Sequence, residues 1–341
     1  MADPLLSLAS ERIVTPNGIE SGYLHIESGR ISGLDSTPRG KIVDYRHAML
    51  MPGFVDIHVH GWGRGSFAWR GERRSLQAMS RDLVNAGVTA WLATSATQPE
   101  TFLLESLSTA ADWIADAKAE DGAEAVGIHM EGPFINPAYS GMQSKDAIQP
   151  PDIEGFKRYQ HAARGNIRLM TLAPELPGAL ALIRYLRQSG VTVSAGHTDA
   201  TFDETTLAIE AGLTHFTHAF SAMRGLHHRE PGVVGALMYH QNTYAEVAKQ
   251  SGITLRPEVF DILYRLKKDR RLVMVSDCLG YVDFPEGSEF HHYLRQETFR
   301  IHNHCLEITD HSGKTRTVSP TEWSEVCKLE MSFLDSVKNV V

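Results

Sequence analysis

The sequence predicts an α/β protein: a TIM-like (β/α)8 barrel that carries a small N-terminal β domain. Three observations predict this fold. The 341 residues are too many for one small domain but suit one large barrel with an appendage. Apolar, β-rich runs recur eight times and alternate with segments of helical spacing. Histidines and carboxylates stand at the ends of five of these runs, where barrel enzymes carry their chemistry.

Residues 1–50 form the first predicted unit, a small β domain. Short runs with alternating apolar residues, such as GYLHIES, are separated by Asn17-Gly18 and by Gly29. Alternation with Gly and Asn punctuation is typical of strands and turns. No helical period of useful length occurs in this stretch, so we expect a unit made of strands.

Residues 51–341 form the second predicted unit, the barrel. Its eight strand segments are MPGFVDIHVHG, VTAWLATS, AVGIHMEGPF, IRLMTLAPE, VTVSAGHTDA, THFTHAFSAM, TYAEVAKQ and RLVMVSDCLG. Six intervening segments, from SLQAMSRDLVNAG to RPEVFDILYRLKKD, have amphipathic helical spacing, and several of them end at Gly. Eightfold alternation favours a closed parallel barrel over a doubly wound sheet, which is the competing α/β architecture.

The stretch at about 284–320 departs from this alternation. EFHHYLRQETFRI and HCLEITDHSGKTRTVS predict a β-hairpin excursion with a turn near 311–314. A last helix is expected to begin near Pro320. Its apolar stripe, formed by Leu329, Phe333, Val337 and Val341, should pack on the outside of the barrel.

Composition and charge narrow the class of function. The net charge of −8 gives no basic face for nucleic acid. The start, MADPLLSLASERI, shows neither a basic n-region nor an apolar run long enough to span a bilayer. Three widely spaced cysteines predict no disulfide framework and fit a cytoplasmic protein. We therefore expect a cytoplasmic protein that binds a small molecule, with neither nucleic acid nor membrane as partner.

Six side chains at strand ends predict a metal centre. They are His58 and His60 after the first run, Glu131 after the third, His197 after the fifth, His218 after the sixth and Asp277 after the eighth. Side chains two apart on a strand point to the same face, so both imidazoles of the His-x-His pair can reach one cation. A single His-x-His could be two ordinary strand histidines. The whole set at successive strand ends favours a divalent ion such as Zn, Fe, Co or Mn.

Asp277 has two interpretations. An Asp after an apolar strand can cap the segment that follows it. It can also lie beside a metal-activated water and act first as general base and then as general acid.

The motifs together resemble one family. DIHVHG (56–61), HMEGPF (129–134), LAPE (172–175), SAGHTDA (194–200), THAFSAM (217–223), HREPG (228–232) and SDCLG (276–280) occur in the order of the N-acetylglucosamine-6-phosphate deacetylases of the amidohydrolase superfamily. The resemblance runs from about Ile13 to the last residue. HREPG and HMEGPF separate this family from dihydroorotase-like and urease-like relatives.

The resemblance implies an activity and a cofactor. The activity is hydrolysis of N-acetylglucosamine 6-phosphate to glucosamine 6-phosphate and acetate, with Asp277 as the acid and base. Glu131, His197 and His218 would hold the main divalent ion. Some members of the family lack the second histidine of the pair and use one ion. Because His58 and His60 are both present, this chain would hold one or two ions per subunit, with Glu131 shared between them.

The resemblance also implies substrate contacts and a homodimer. Arg229 would bind the sugar phosphate, as suits a planar bidentate donor. Ser221 and Ala222 would offer backbone N–H groups near that phosphate, although the family usually has Asn at the position of Ser221. His129, which precedes the metal ligand by two residues, either contacts or supports the site or belongs to the core.

Two departures from the family accompany the resemblance. The family usually has Asp-Gly-x-His after the seventh strand, and that His touches the substrate. Here the segment is KQSGITLRP, so Thr254 stands near the His position and Arg256 is the other candidate for the contact. The family's last segment, which returns to the N-terminal β unit, is not present in the 341 residues. We therefore expect a truncated C-terminal end and an N-terminal domain that lacks strands.

Two other functions stay open at this point. One is an amidohydrolase that acts on another amide or on a cyclic amide, with a carboxylate in the anion site; HREPG argues against it. The other is an inactive phosphosugar-binding remnant, which the two departures favour and the complete set of strand-end ligands opposes.

Overall fold

The computed structural model describes residues 5–248, 254–280, 286–292, 297–303, 305–319 and 331–340. The chain divides into two compact units, Met1–Gly53 and Phe54–Val341. Within the described ranges we number the strands β1–β19 and the α-helices α1–α9 in chain order.

The N-terminal unit is a five-stranded sheet. Its strands are β1 (Leu6–Thr15), β2 (Gly18–Glu27), β3 (Arg30–Asp35), β4 (Lys41–Asp44) and β5 (Met49–Leu50). The order is β3-β2-β1-β4, and β5 also pairs with β1. The turn between β1 and β2 passes through Gly18 at φ +122, a left-handed conformation that suits glycine.

The second unit is built around eight parallel strands. They are β6 (Phe54–Val59), β9 (Val88–Ser95), β10 (Glu124–Glu131), β11 (Ile167–Leu172), β12 (Thr192–Ala195), β13 (His215–Phe216), β14 (Tyr244–Ala248) and β15 (Leu272–Val275). Their spatial order follows their order in the chain. Each of the eight predicted segments overlaps one of these strands, so the predicted alternation is confirmed.

The first and last strands meet and bring the ring close to closure. The Asp277 N–H donates to the His58 carbonyl at 2.8 Å, and the His60 N–H donates to the Cys278 carbonyl at 2.8 Å. Gly61 and Leu279 form a parallel bridge just beyond. A doubly wound sheet would keep two free edges, so these contacts decide for the barrel.

Helices cover the outside of the barrel. They are α1 (Phe67–Arg70), α2 (Arg73–Asn85), α3 (Glu100–Asp116), α4 (Ile153–Ala162), α5 (Ala179–Gln188), α6 (Phe202–Ala211), α7 (Gly232–Tyr239) and α8 (Pro257–Arg271). Short 3-10 turns lie at Ala119–Asp121, Pro137–Tyr139 and Lys145–Ala147. The apolar faces of the helices pack on the strands around fully buried side chains such as Trp91, Phe156 and Phe216.

Helix α7 was not among the six helical segments predicted from the sequence. Six of its eight residues are buried: Gly232, Val233, Val234, Gly235, Ala236 and Leu237. A helix that is apolar on nearly every side has no amphipathic period, and the period was the signal used to find the others.

The stretch after the barrel forms an antiparallel sheet of four strands in the described residues. Its strands are β16 (Glu289–His292), β17 (Glu297–His302), β18 (Cys305–Thr309) and β19 (Thr315–Val318). A separate two-stranded sheet, β7 (Gly61–Trp62) and β8 (Gly65–Ser66), lies earlier in the chain. The β18–β19 turn lies at 310–314. Buried residues Phe299, Ile301, Leu306, Ile308 and Val318 pack against Trp69 and Leu279, so the sheet lies beside the segment that follows β15.

The last described helix is α9, residues Phe333–Lys338. Phe333 is buried and stacks on Phe54 with ring centroids 4.9 Å apart, and Val337 packs against the same core. This part of the predicted apolar stripe therefore lies on the barrel. The predicted start near Pro320, together with Leu329 and Val341, falls outside the described residues.

Within the ranges given above, no helix combines the length and the apolar character that crossing a membrane requires.

Candidate metal centre and active site

The predicted ligands come together at one end of the barrel. His58 lies in β6, and His60 and Asp277 follow the first and last strands. His197, His218 and Asp277 have left-handed backbones, with φ of 49, 30 and 46°. Non-glycine residues with this conformation are uncommon and collect at functional sites. All three residues lie two positions after the last residue of a barrel strand.

Glu131 is the centre of the cluster. Its Oε1 lies 3.2 Å from His197 Nε2 and 3.1 Å from His218 Nε2. Its Oε2 lies 3.2 Å from His60 Nε2, while Oε1 lies 3.5 Å from His58 Nε2. Two overlapping groups, His58–His60–Glu131 and Glu131–His197–His218, therefore each have the donor spacing that one ion needs, and all five residues are buried.

Asp277 lies beside the histidine pair. Its Oδ1 is 3.4 Å from His58 Nε2 and 3.5 Å from His60 Nε2. Its side chain is about 20% exposed, whereas Glu131 is about 1% exposed. Asp277 is therefore the carboxylate of the cluster that a molecule entering from solvent can reach.

The donor set fits a divalent cation better than it fits protons. The Nε2 atoms of His58 and His60 lie 3.2 Å apart, and those of His197 and His218 lie 3.1 Å apart. Two protonated imidazoles would place N–H against N–H at these distances. Two nitrogen atoms that each bind one ion at about 2.1 Å lie about 3–3.5 Å apart in ordinary coordination geometries.

Electrostatics give the same result. Burial lowers the pKa of His60, but Asp277 and Glu131 outweigh burial and raise that pKa to about 10. Burial likewise lowers the pKa of His218, and Glu131 above all raises it to about 9. Burial raises the pKa of Glu131, yet the surrounding imidazoles hold it well below its usual range. The carboxylates thus stabilise positive charge at the position of the histidine nitrogens, and a bound cation would supply that charge.

Three residues that the sequence interpretation missed support the ligands from behind. Glu246 in β14 accepts a hydrogen bond from His58 Nδ1 at 2.9 Å. Gln143 donates from Nε2 to Glu131 Oε2 at 2.5 Å. The Tyr139 carbonyl lies 2.8 Å from His197 Nδ1. Partners of this kind fix ring tautomers and carboxylate orientation in metal centres. Glu246 lies within a strand and Gln143 lies in a loop. Neither therefore fits the pattern of histidines and carboxylates at strand ends that predicted the ligands.

His129 lies in the interior of the barrel. It is fully buried, its Nδ1 lies 3.1 Å from the Ile57 carbonyl, and its Nε2 lies 2.7 Å from Thr171 Oγ1. Burial, followed by the charge of His58, lowers the pKa of His129 well below its usual value. Both nitrogens are used inside the barrel, which favours the core or supporting role, and a contact of His129 with substrate stays a prediction.

The HREPG segment is an anchored loop that presents Arg229. Glu230 Oε1 accepts from the N–H groups of Phe202 at 2.9 Å and of Gly232 at 3.0 Å, which ties the loop to the start of α6 and of α7. Arg229 is exposed, and its Nε donates to His228 Nε2 at 3.1 Å. The guanidinium contacts no carboxylate in the described residues, which leaves it available to an anion.

The other predicted contacts receive mixed support. The Ser221 N–H donates to the His218 carbonyl at 2.9 Å, so it shapes the turn behind the ligand and is not available to a phosphate. Ala222 has a left-handed backbone and its carbonyl accepts from the Thr198 N–H at 3.1 Å. Thr254 donates its hydroxyl to the Ala248 carbonyl at the end of β14. Arg256, the alternative to Thr254, pairs with Glu258.

Comparison with known proteins agrees with this geometry. A profile of the amidohydrolase family matches residues 49–316. N-acetylglucosamine-6-phosphate deacetylase of Bacillus subtilis (strain 168) is 38% identical over 295 residues, which cover 84% of this chain and 74% of the relative. N-acetylgalactosamine-6-phosphate deacetylase of Escherichia coli O157:H7 is 29% identical, with 82% and 73% covered.

A solved structure has the same fold. It is a mutant of N-acetyl-D-glucosamine-6-phosphate deacetylase from Mycobacterium smegmatis, in complex with N-acetyl-D-glucosamine-6-phosphate. It superposes with a TM-score of 0.74 at 27% identity, with 93% of this chain and 80% of that chain covered.

The barrel, the buried His/Glu centre and the profile match define a metal-dependent hydrolase of the amidohydrolase family. Within the amidohydrolase family, the 38% identity to the Bacillus subtilis enzyme assigns the chain to one group of enzymes. The chain belongs to the N-acetylglucosamine-6-phosphate deacetylases.

Proposed function

We propose that this chain hydrolyses the acetamide of N-acetylglucosamine 6-phosphate to glucosamine 6-phosphate and acetate. The observation that carries the proposal is the convergence of four imidazoles on Glu131 beside Asp277, in a chain 38% identical to a named deacetylase. A phosphosugar-binding remnant would have no use for a buried centre of this kind with a carboxylate partly open to solvent.

Glu131, His197 and His218 would hold the main ion, because their donor atoms share one small volume. His58, His60 and Glu131 would hold a second ion. When bound, a divalent cation lowers the pKa of a water molecule from 15.7 towards about 7 and polarises the amide carbonyl. Imidazole and carboxylate together suit Zn, Fe, Co or Mn.

Asp277 moves the protons in this proposal. Its Oδ1 faces the histidine pair, its N–H is fixed by the His58 carbonyl, and a fifth of its side chain is open to solvent. Asp277 accepts the proton of the attacking water and then returns it to the amine that leaves, which is general base followed by general acid catalysis.

Arg229 would bind the 6-phosphate. The loop that carries it is fixed through Glu230, which accepts from the N–H groups of Phe202 and Gly232. Binding energy at the phosphate would then go into positioning the acetamide. The proposal also includes a cytoplasmic homodimer, which the sparse cysteines and the family resemblance support; light scattering checks the dimer.

The test is acetate release by protein loaded with one stated metal at a time. We expect acetate from N-acetylglucosamine 6-phosphate and little from unphosphorylated N-acetylglucosamine. N-acetylgalactosamine 6-phosphate belongs in the same assay because a relative at 29% identity carries that substrate in its name. No acetate from either phosphosugar with any of Zn, Fe, Co or Mn would refute the proposal.

A further inference from the structure

Glu246 is a buried carboxylate that ties three parts of the barrel end together. It lies in β14 and is 0% exposed. Its Oε2 accepts from His58 Nδ1 at 2.9 Å and from the His218 N–H at 3.0 Å. The seventh strand is thereby bonded to a ligand on the first strand and to the turn that carries a ligand after the sixth.

Glu246 would not share an ion with the Nε2 atom of His58, because it meets the opposite side of the ring. It contacts Nδ1, while Nε2 of that ring faces Glu131 at 3.5 Å and Asp277 at 3.4 Å. An acceptor at Nδ1 keeps the proton there and leaves the Nε2 lone pair directed at the centre. Its effect on a cation therefore passes through His58.

The four histidines are not supported alike. His197 Nδ1 meets a neutral carbonyl, that of Tyr139. The Nδ1 atoms of His60 and His218 have no hydrogen-bond partner in the part of the chain that the structure describes. A carboxylate at the outer nitrogen makes an imidazole a more basic ligand than a carbonyl does. Of the two halves of the centre, the His58–His60 half therefore contains the imidazole that a carboxylate makes more basic.

Charge balance favours the same half. Three carboxylates, Glu131, Asp277 and Glu246, lie within 3.5 Å of the His58 ring nitrogens. One divalent ion would leave one negative charge uncompensated in this interior, and uncompensated buried charge is costly. Two divalent ions compensate all three carboxylates and leave one positive charge for an anionic ligand.

We propose that Glu246 is a positioning residue that makes the His58–His60 half able to hold a second divalent ion, by fixing the tautomer of His58 and supplying the third negative charge. The inference rests on the metal centre of the proposed function. It adds a residue, and a reason for two ions, that the ligand positions alone do not give.

The test is Zn²⁺ binding to protein stripped of metal, followed by competition with a chromogenic chelator and by metal counting with mass spectrometry. Glu246→Gln keeps a carbonyl oxygen for both donors and removes the charge. We expect two ions per wild-type chain. In the variant we expect the first ion to stay within a few-fold of its wild-type affinity and the second to weaken about 10–100-fold. Raised Zn²⁺ should restore the second ion.

Asp56→Asn is the matched control. Asp56 is also fully buried, and its Oδ1 accepts from the N–H groups of His58 and Ser276 at 3.2 Å each, but among the described residues it touches no ring nitrogen. We expect this variant to bind two ions as the wild type does. Glu246→Asp, which keeps the charge on a shorter side chain, serves as a second variant should Glu246→Gln fail to fold. We expect it to recover part of the second-ion affinity.

Four outcomes with the wild type, Glu246→Gln and Asp56→Asn would overturn the inference. They are one ion per wild-type chain, two ions at wild-type affinity in Glu246→Gln, equal weakening of both ions, and loss of the second ion in Asp56→Asn as well. A Glu246→Asp variant with no second ion would count against it in the same way. Wild-type protein that binds two ions but releases no acetate would refute the proposed substrate and leave the role of Glu246 standing.

Discussion

Replacing Asp277 with Asn removes the proposed proton carrier while it disturbs little else. The backbone there has φ 46°, a conformation that Asn tolerates and that costs most other residues about 1–2 kcal/mol. The N–H of residue 277 can still donate to the His58 carbonyl. Asn has the size of Asp and can still hydrogen-bond, but it cannot accept a proton. The fold and the main ion should therefore persist, which Asp277→Ala would not guarantee.

The expected size of the effect follows from the role. Positioned general acid–base groups contribute about 10²–10⁴ in rate, which corresponds to about 3–5 kcal/mol of barrier. We therefore expect kcat for acetate release in Asp277→Asn to fall by at least about 10²-fold. Because Glu131, His197 and His218 group without Asp277, the content of the main ion should change little.

The assay is acetate release at saturating substrate, with metal content and thermal melting measured on the same preparations. Turnover within a few-fold of wild type, at equal metal content, would refute the reasoning and reduce Asp277 to a structural role. A fall in turnover that follows loss of metal would place Asp277 among the ligands instead.

Three further predictions concern side chains outside the cluster of strand-end ligands. Arg229→Ala should raise KM for the phosphorylated substrate at least about tenfold and leave unphosphorylated N-acetylglucosamine unchanged; an equal effect in Arg256→Ala would move the phosphate to the other loop. Gln143→Ala removes the hydrogen bond that orients Glu131, the carboxylate that both ion groups share, and should weaken ion binding about tenfold, as a chelator titration would show; unchanged affinity would contradict it. Burial lowers the pKa of Lys267 from 10.5 to about 8. The unfolded chain therefore holds more protons between those pH values, and folding stability should gain up to about 3 kcal/mol as pH rises through that window. Urea unfolding of wild type and Lys267→Met across it should show the gain in wild type alone.

Much of the fold was predictable because the barrel repeats one simple pattern. Each of the eight apolar runs, from MPGFVDIHVHG to RLVMVSDCLG, overlaps a barrel strand. Side chains at the ends of parallel strands must meet at one face, so their grouping followed without coordinates. Helix α7 was missed for the opposite reason: it is buried on nearly all sides, and its sequence carries no period.

The supporting residues were not predictable in the same way. Glu246 meets His58 across the barrel from a position 188 residues away, and Gln143 reaches Glu131 from a loop. Such contacts depend on where strands and loops lie in space, and no short motif records them. A motif also leaves the use of a backbone group open: Ser221 was predicted to offer its N–H to the phosphate, and in the structure that N–H donates to the His218 carbonyl.

The join between the first and last strands of the barrel has a consequence for when activity can arise. The Ser276 N–H donates to Asp56, 220 positions away, across this join. Asp277, the proposed proton carrier, is the next residue after Ser276. A nascent chain on the ribosome can form most of the strands and still lack this group, because residue 277 emerges late. Catalytic competence should then coincide with ring closure. Hydrogen exchange at the His60 and Asp277 amides, both bonded across the join, should report any local opening that interrupts catalysis in the finished protein.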